Sequence, residues 1–146
     1  MAGFGGAVRR RDQACPCGGG RYAHCCAPLH RGVVAAETAE QLMRSRYSAY
    51  ALGACDYLLR THPAGGSGAE RRRELEASLR QVRWQRLEIL ATSQGGPHDL
   101  EGTVTFAAHY RGAGQSGVLR ECSRFGREGN RLEGAWLYIE ALELTG

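Results

Sequence analysis

The chain has no lysine; all nineteen of its basic residues are arginine. Isoleucine is scarce, while glycine, alanine and arginine are abundant, a usage that points to a GC-rich genome more than to a binding adaptation. No apolar run approaches the roughly 18 residues of a membrane helix, which excludes a helical span. No apolar stretch followed by a cleavage pattern stands at the N-terminus. Nothing therefore directs the six cysteines to an oxidising compartment, and a cytoplasmic location with free or metal-bound thiols is expected. Catalytic signatures are also missing. There is no Gly-x-Ser-x-Gly elbow, and no Gly-x-Gly-x-x-Gly or P-loop pattern at a strand–helix junction. Ser123 has no evident activating base, Cys55 and Cys122 sit in apolar contexts as buried free thiols, and Cys122 is expected to be inert.

Against these absences stands one dense stretch. Residues 15–26 read Cys-Pro-Cys-Gly-Gly-Gly-Arg-Tyr-Ala-His-Cys-Cys. Glycines permit the positive φ angles of a tight reversal. Such a loop can gather Cys15, Cys17, Cys25 and Cys26 around one point, as a tetrahedral zinc site requires, with Zn–S near ~2.3 Å. Adjacent Cys25 and Cys26 are poorly placed to bridge each other, and iron–sulfur clusters use other spacings. His24 beside the pair is a fifth candidate ligand, but a surface role is expected of it because Cys26 already supplies the fourth thiolate. Four protein ligands leave no open position for water, so one structural zinc ion is expected.

The net charge of +4 lies wholly in residues 1–31, where Arg9, Arg10, Arg11, Arg21 and Arg31 face only Asp12; beyond residue 31 the charges cancel. A basic segment can bind nucleic acid, but a zinc–tetrathiolate unit carries a formal charge of about −2. Residues 1–13 therefore read as a disordered basic tail, residues 14–31 as the zinc knuckle and residues 32–146 as a second unit. Within that unit Thr38 and Gln41 form a capping box for a helix to about residue 52, with Leu42, Met43, Tyr47, Tyr50 and Ala51 on one broad face and Gly53 as its end. A short helix over 56–61, a loop through His62 and Pro63 to residue 68, and a helix over 69–81 with Leu75, Leu79 and Val82 inward follow. Strands are expected over 83–93, 102–111, 118–128 and 133–144. Val104, Phe106, Ala108 and Tyr110 share one face of the second strand, and a hairpin loop spans 112–117. Helices followed by an antiparallel meander make an α+β fold.

Cys15-Pro16-Cys17-Gly18 through Tyr22 to Cys25-Cys26 resembles the SEC-C zinc motif, found at the C-terminus of the translocase ATPase SecA and in many unrelated bacterial proteins. The seven residues 18–24 replace the motif's usual eight. Residues 42–50, Leu-Met-Arg-Ser-Arg-Tyr-Ser-Ala-Tyr, are similar to the signature helix of the YchJ-like family. Asp56-Tyr57, Trp84 with Leu87, Ser123-Arg124-Phe125 and Trp136-Leu137-Tyr138 extend the likeness from residue 14 to about 141. The resemblance implies a nuclear transport factor 2-like cone, with about three helices on a curved antiparallel sheet behind an N-terminal zinc knuckle. It implies no activity. The tryptophan usual between Thr61 and His62, the Asp-Gly usual after Tyr138 and the second SEC-C motif of some members are missing, so a function needing two zinc modules is not expected.

A cone can enclose a pocket, and its expected polar and aromatic lining is Arg46, Tyr47, Tyr50, Trp84, His109, Glu121 and Tyr138. His109 and Glu121 lie on neighbouring strands and could form an acid–base pair, but a one-residue register slip sends one of them to the other face. Arg44 and Arg46 cannot share a helix face; one should be exposed and the other paired with a carboxylate such as Glu121 or Glu140. Tyr47, Tyr50 and Trp84 suit core at least as well as a substrate slot. The leading expectation is a non-catalytic adaptor that docks a protein partner through its knuckle, as the SEC-C likeness implies. A cone enzyme or carrier for a small hydrophobic molecule is the alternative, and nucleic-acid binding through the N-terminal arginines a lesser one.

Overall fold

A computed structural model describes residues 13–63 and 68–146. Of the expected basic tail only Gln13 is among them, so Arg9, Arg10 and Arg11 lie outside the described residues, as do residues 64–67 of the loop after Pro63. The chain order is a one-turn 3-10 helix (Tyr22–His24), helices α1 (Ala27–His30), α2 (Ala39–Leu52), α3 (Cys55–Arg60) and α4 (Ala69–Leu79), then strands β1 (Arg83–Gln94), β2 (Glu101–Gly112), β3 (Gln115–Arg127) and β4 (Trp136–Thr145). The strands form one antiparallel sheet in the order β1-β2-β3-β4. The fold is α+β, as expected.

Helix α2 starts and stops where its sequence requires. The Gln41 N–H donates to the Thr38 hydroxyl at 3.0 Å. The Gln41 side chain reaches one residue further than a capping box does, and its Oε1 accepts from the Glu37 N–H at 2.7 Å. At the other end Gly53, at φ +78°, supplies the left-handed cap that other residues adopt at a cost. Burial extends beyond the apolar face read from the sequence. Ser45, Arg46 and Ser48 are enclosed together with Leu42, Met43, Tyr47 and Ala49, while Tyr50 and Ala51 are only half-buried. A helix covered on most of its circumference is a central element, not a surface one.

The sheet bends around α2. Register shifts in β1 leave Gln85 and Leu90 without opposite residues, and shifts between β3 and β4 do the same for Ile139 and Leu142. Each bulge adds local twist and bend, which turns a flat meander into a cone. The β2–β3 turn is shorter than the expected loop over 112–117. Gly112 pairs with Gln115, leaving only Ala113 and Gly114 at φ +52° and +78°, the both-positive geometry of a tight hairpin. Helix α4 contributes no fully buried residue; Leu75 and Leu79 pack half-buried against the core. Trp136, 2% exposed, closes the far end, its Nε1 donating to the Glu37 carbonyl at 3.1 Å beneath the Arg127 guanidinium.

The knuckle and the cone share one core. Cys15, Cys17, Cys26 and Leu29 belong to the same buried cluster as Leu42, Met43, Tyr47, Val104, Phe106 and Phe125. Burial of Leu29 alone contributes roughly 1.5–3 kcal/mol. No helix of the described residues is long and apolar enough to cross a membrane.

Candidate metal centre and cone cavity

The knuckle is a short reversal followed by two short helices. The Cys15 N–H donates to Gly20 O at 2.6 Å and the Gly18 N–H to Cys15 O at 2.9 Å, closing the turn that carries Cys15 and Cys17. Gly18 and Gly20 take positive φ, as a tight reversal demands. Gly19 is needed for space instead. A Cβ there would lie 2.9 Å from Cys25 Sγ and 3.3 Å from Cys17 Sγ. Cys25 and Cys26 arrive from the other side, where the 3-10 helix passes into α1.

The four sulfurs lie within 4.8 Å of one another. Separations are 3.5 Å for Cys17–Cys25, 3.8 Å for Cys17–Cys26 and 3.9 Å for Cys25–Cys26. A disulfide needs about 2.05 Å, and all six cysteines are free. A tetrahedron with metal–sulfur bonds of ~2.3 Å has edges of about 3.8 Å, so the donor set fits zinc. His24 is exposed and stands outside the cluster. Crowding governs protonation here. Hydrogen bonds with Cys17 and Cys26 hold the Cys15 thiol far below its ordinary range. Burial and the Cys17 thiol push Cys25 up to about 12, and hydrogen bonding to Cys15 pushes Cys26 well up. Four thiolates at one point require a cation between them.

Three residues of α2 hold this cluster against the cone. Ser48 Oγ lies 3.2 Å from Cys15 Sγ. Arg44 Nη1 donates to Cys17 O at 2.8 Å, while its Nε bonds Glu40 at 2.9 Å. Ser45 O accepts from His30 Nε2 at 2.8 Å, which leaves His30 Nδ1 to accept from the Tyr22 hydroxyl at 2.7 Å. The His30 ring also packs against Tyr57 at 4.8 Å, and the Tyr57 hydroxyl meets Ser45 Oγ at 2.7 Å. None of these links was legible beforehand. A serine within a helix reads as surface, and nothing in the knuckle's own residues assigns His30 a partner.

On the opposite side of α2 is a cavity of about 410 Å³. Arg46, Tyr47, Tyr50, Trp84, Glu121 and Tyr138 line it, with His62, Ser123 and the apolar Met43, Phe106, Ala108, Leu119 and Phe125. His109 does not. Of the two placements open to His109, opposite Glu121 or on the other face of the sheet, parity gives the second: Glu121 lies opposite Phe106, on the inward face, whereas His109 lies opposite Val118. Phe106 and Ala108 are buried on the inward face, and His109 alternates with them on the other side. There its Nε2 lies 2.6 Å from Glu88 Oε1. Of Arg44 and Arg46, one expected to be exposed and the other paired with a carboxylate such as Glu121 or Glu140, the buried one is Arg46, and it pairs with no carboxylate among the described residues. Its Nη1 donates to Thr61 Oγ1 at 2.6 Å and Leu58 O at 3.1 Å, and its guanidinium lies over the Tyr138 ring at 4.9 Å. Glu121 Oε2 instead accepts from the Ser123 hydroxyl and, at 3.0 Å, from the Tyr138 hydroxyl. Glu140 pairs with Arg124 at the surface. Arg44, the other arginine, pairs with Glu40. Burial pushes the Tyr47 phenol up to about 12 and lowers His62, whose Nδ1 donates to Tyr138 O at 3.0 Å.

The family described as the YchJ middle NTF2-like domain matches residues 38–141. A UPF0225 protein of Streptomyces coelicolor is 46% identical over 128 residues, spanning 86% of this chain and 92% of its own. A UPF0225 protein of Ralstonia nicotianae is 42% identical over 132 residues, 87% of this chain and 89% of that one. Two solved structures are similar. A SEC-C motif containing protein from Rhodopseudomonas palustris has a TM-score of 0.71 at 33% identity, covering 88% of this chain and 97% of that one. Another from Psychrobacter arcticus has a TM-score of 0.75 at 25% identity, covering 90% and 82%.

Two outcomes follow. Gly19→Ala should press a methyl group onto the Cys25 and Cys17 sulfurs and weaken metal binding about 10–100-fold, read by competition with a chromogenic zinc chelator; unchanged affinity would refute the space argument. Burial also holds the His30 imidazole below its usual 6.5. The unfolded chain then takes up a proton first, so the contribution of His30 is complete above about pH 6.5 and lost as pH falls below it. Urea midpoints of wild type and His30→Gln should converge between pH 7.5 and 5.5, and parallel profiles would contradict this.

Proposed function

The chain belongs to the YchJ-like family, and on that footing we propose that it is a zinc-binding, non-catalytic protein-interaction protein whose zinc is structural. The observation that carries this reading is the cluster of four mutually adjacent, largely buried sulfurs. Cys15, Cys17, Cys25 and Cys26 would hold the ion. When bound, zinc would supply charge compensation for four thiolates and a cross-link between the two halves of the knuckle, with no position left open for water. Metal binding in small modules of this kind is folding energy, apparently ~10–16 kcal/mol in isolated finger peptides.

A structural zinc fixes a surface. The outer side of the knuckle exposes His24 and Arg31, and the segment that follows α1 exposes Val33 at 72% and Val34 at 52%. This exposed apolar pair, two residues beyond Arg31 in the chain, is the docking surface of the proposal. The likeness of residues 15–26 to the SEC-C motif, which docks partners in SecA, favours this role by analogy. A cytoplasmic site of action is part of the same proposal. A second reading, a carrier or enzyme for a small molecule, is favoured by one observation, the cavity containing the buried Arg46.

Protein purified without added metal or chelator should carry one zinc per chain by elemental analysis and native mass spectrometry, and Cys17→Ser should carry none. Val33→Asp with Val34→Asp should keep the zinc and lose a partner that wild type retains from host lysate. Equal partner recovery would overturn the docking surface, and zinc-free wild type would overturn the metal assignment.

A further inference from the structure

The cavity is apolar over most of its wall but carries two opposite charges. Arg46 is 8% exposed, and among the described residues no carboxylate lies within 4 Å of it. Its Nη1 is engaged by Leu58 O and Thr61 Oγ1, whereas no described residue accepts from Nε or Nη2. Among the described residues, the Tyr47 hydroxyl is the one fully enclosed side-chain polar atom without a partner. The Nε and Nη2 of Arg46 therefore touch accessible space, and Arg46 lines the cavity. They form the edge of the guanidinium that grips a carboxylate with two parallel bonds. Glu121 presents the complement. Its Oε2 accepts from Ser123 and Tyr138, and its Oε1 has no described partner. Tyr138 spans the two charges, with its hydroxyl on Glu121 and its ring under Arg46.

We propose that this cavity binds a zwitterionic amino acid with an apolar, preferably aromatic, side chain. The proposal rests on the second reading above, that the cavity receives a small molecule. The ligand carboxylate takes Nε and Nη2 of Arg46, its ammonium group donates to Oε1 of Glu121, and its side chain lies among Met43, Trp84, Phe106, Leu119 and Phe125. Charge selects this class. The two wall charges cancel, so a ligand with both charges is matched. A plain carboxylate meets Arg46 but is repelled by Glu121, and a plain amine meets the reverse. A volume of about 410 Å³ falls within the ~300–1,000 Å³ of small-molecule sites.

The test is calorimetry on the zinc-loaded full chain with four probes: L-phenylalanine, hydrocinnamate, phenethylamine and benzyl alcohol. L-Phenylalanine should bind at one per chain, each half-charged analogue about tenfold or more weakly, and the neutral alcohol weakest. Arg46 also supports the fold, so the diagnostic variant is Glu121→Gln, which keeps the side-chain shape. It should lose affinity for L-phenylalanine and gain affinity for hydrocinnamate, reversing the preference. Equal binding of the analogues, or an unchanged preference in Glu121→Gln, overturns the zwitterion assignment and leaves the small-molecule reading standing. Absence of binding by all four probes overturns the assignment as well. The broader reading then falls only if native spectra of protein from its own host show no retained mass besides the metal.

Discussion

Helix α2 has to satisfy two neighbours at once, a cysteine cluster on one side and the concave face of a curved sheet on the other. Its residues divide accordingly. Arg44, Ser45 and Ser48 face the knuckle. Met43, Arg46, Tyr47 and Tyr50, at the i, i+3, i+4, i+7 spacing of one helical stripe, face the cavity. The two sets are offset by about two residues, which at 3.6 residues per turn is roughly 200° around the helix. A run of arginine, serine, arginine, tyrosine and serine that reads as mixed polar surface is in fact a pair of opposed contact faces. Buried hydroxyls serve well on the knuckle side because they are small enough to admit close approach and can still satisfy sulfur, carbonyl and phenol partners.

From that division the two sites follow. The side toward the knuckle is closed and fully engaged: each buried polar group there has a partner, and the remaining demand is for a cation among four thiols. The side toward the sheet is open, with a guanidinium and a carboxylate that keep unused hydrogen-bonding atoms in an apolar chamber. A closed polar network rigidifies and specifies a core, whereas an incomplete one facing a cavity invites a ligand. One helix thus separates the cysteine cluster from the cavity.

The ends of α2 were legible because Thr38, Gln41 and Gly53 carry their capping chemistry in their identities. The cysteine set was legible because four thiols in twelve residues have few other uses. The inward face of β2 was legible from alternation at Val104, Phe106 and Ala108. That alternation already placed His109 on the other face; pairing it with Glu121 would have needed a register that the two-residue turn at Ala113 and Gly114 does not give. What the sequence concealed was long-range. No local signal says that Arg44 reaches Cys17 O across 27 residues, or that His30 inserts between Tyr22 and Tyr57. The knuckle read as a separable unit because nothing in its own residues shows that Leu29 and three of its cysteines enter the core of the cone.

That shared core is the central claim, and hydrogen–deuterium exchange of the full chain, with zinc bound and after chelation, tests it most directly. If the cluster is part of the core, chelation raises exchange in residues 14–31 and also in α2, whose knuckle-facing side loses its partners, while the central strands β2 and β3 change least. Rapid exchange confined to residues 14–31, with α2 unaltered, would contradict it and make the knuckle an independent appendage.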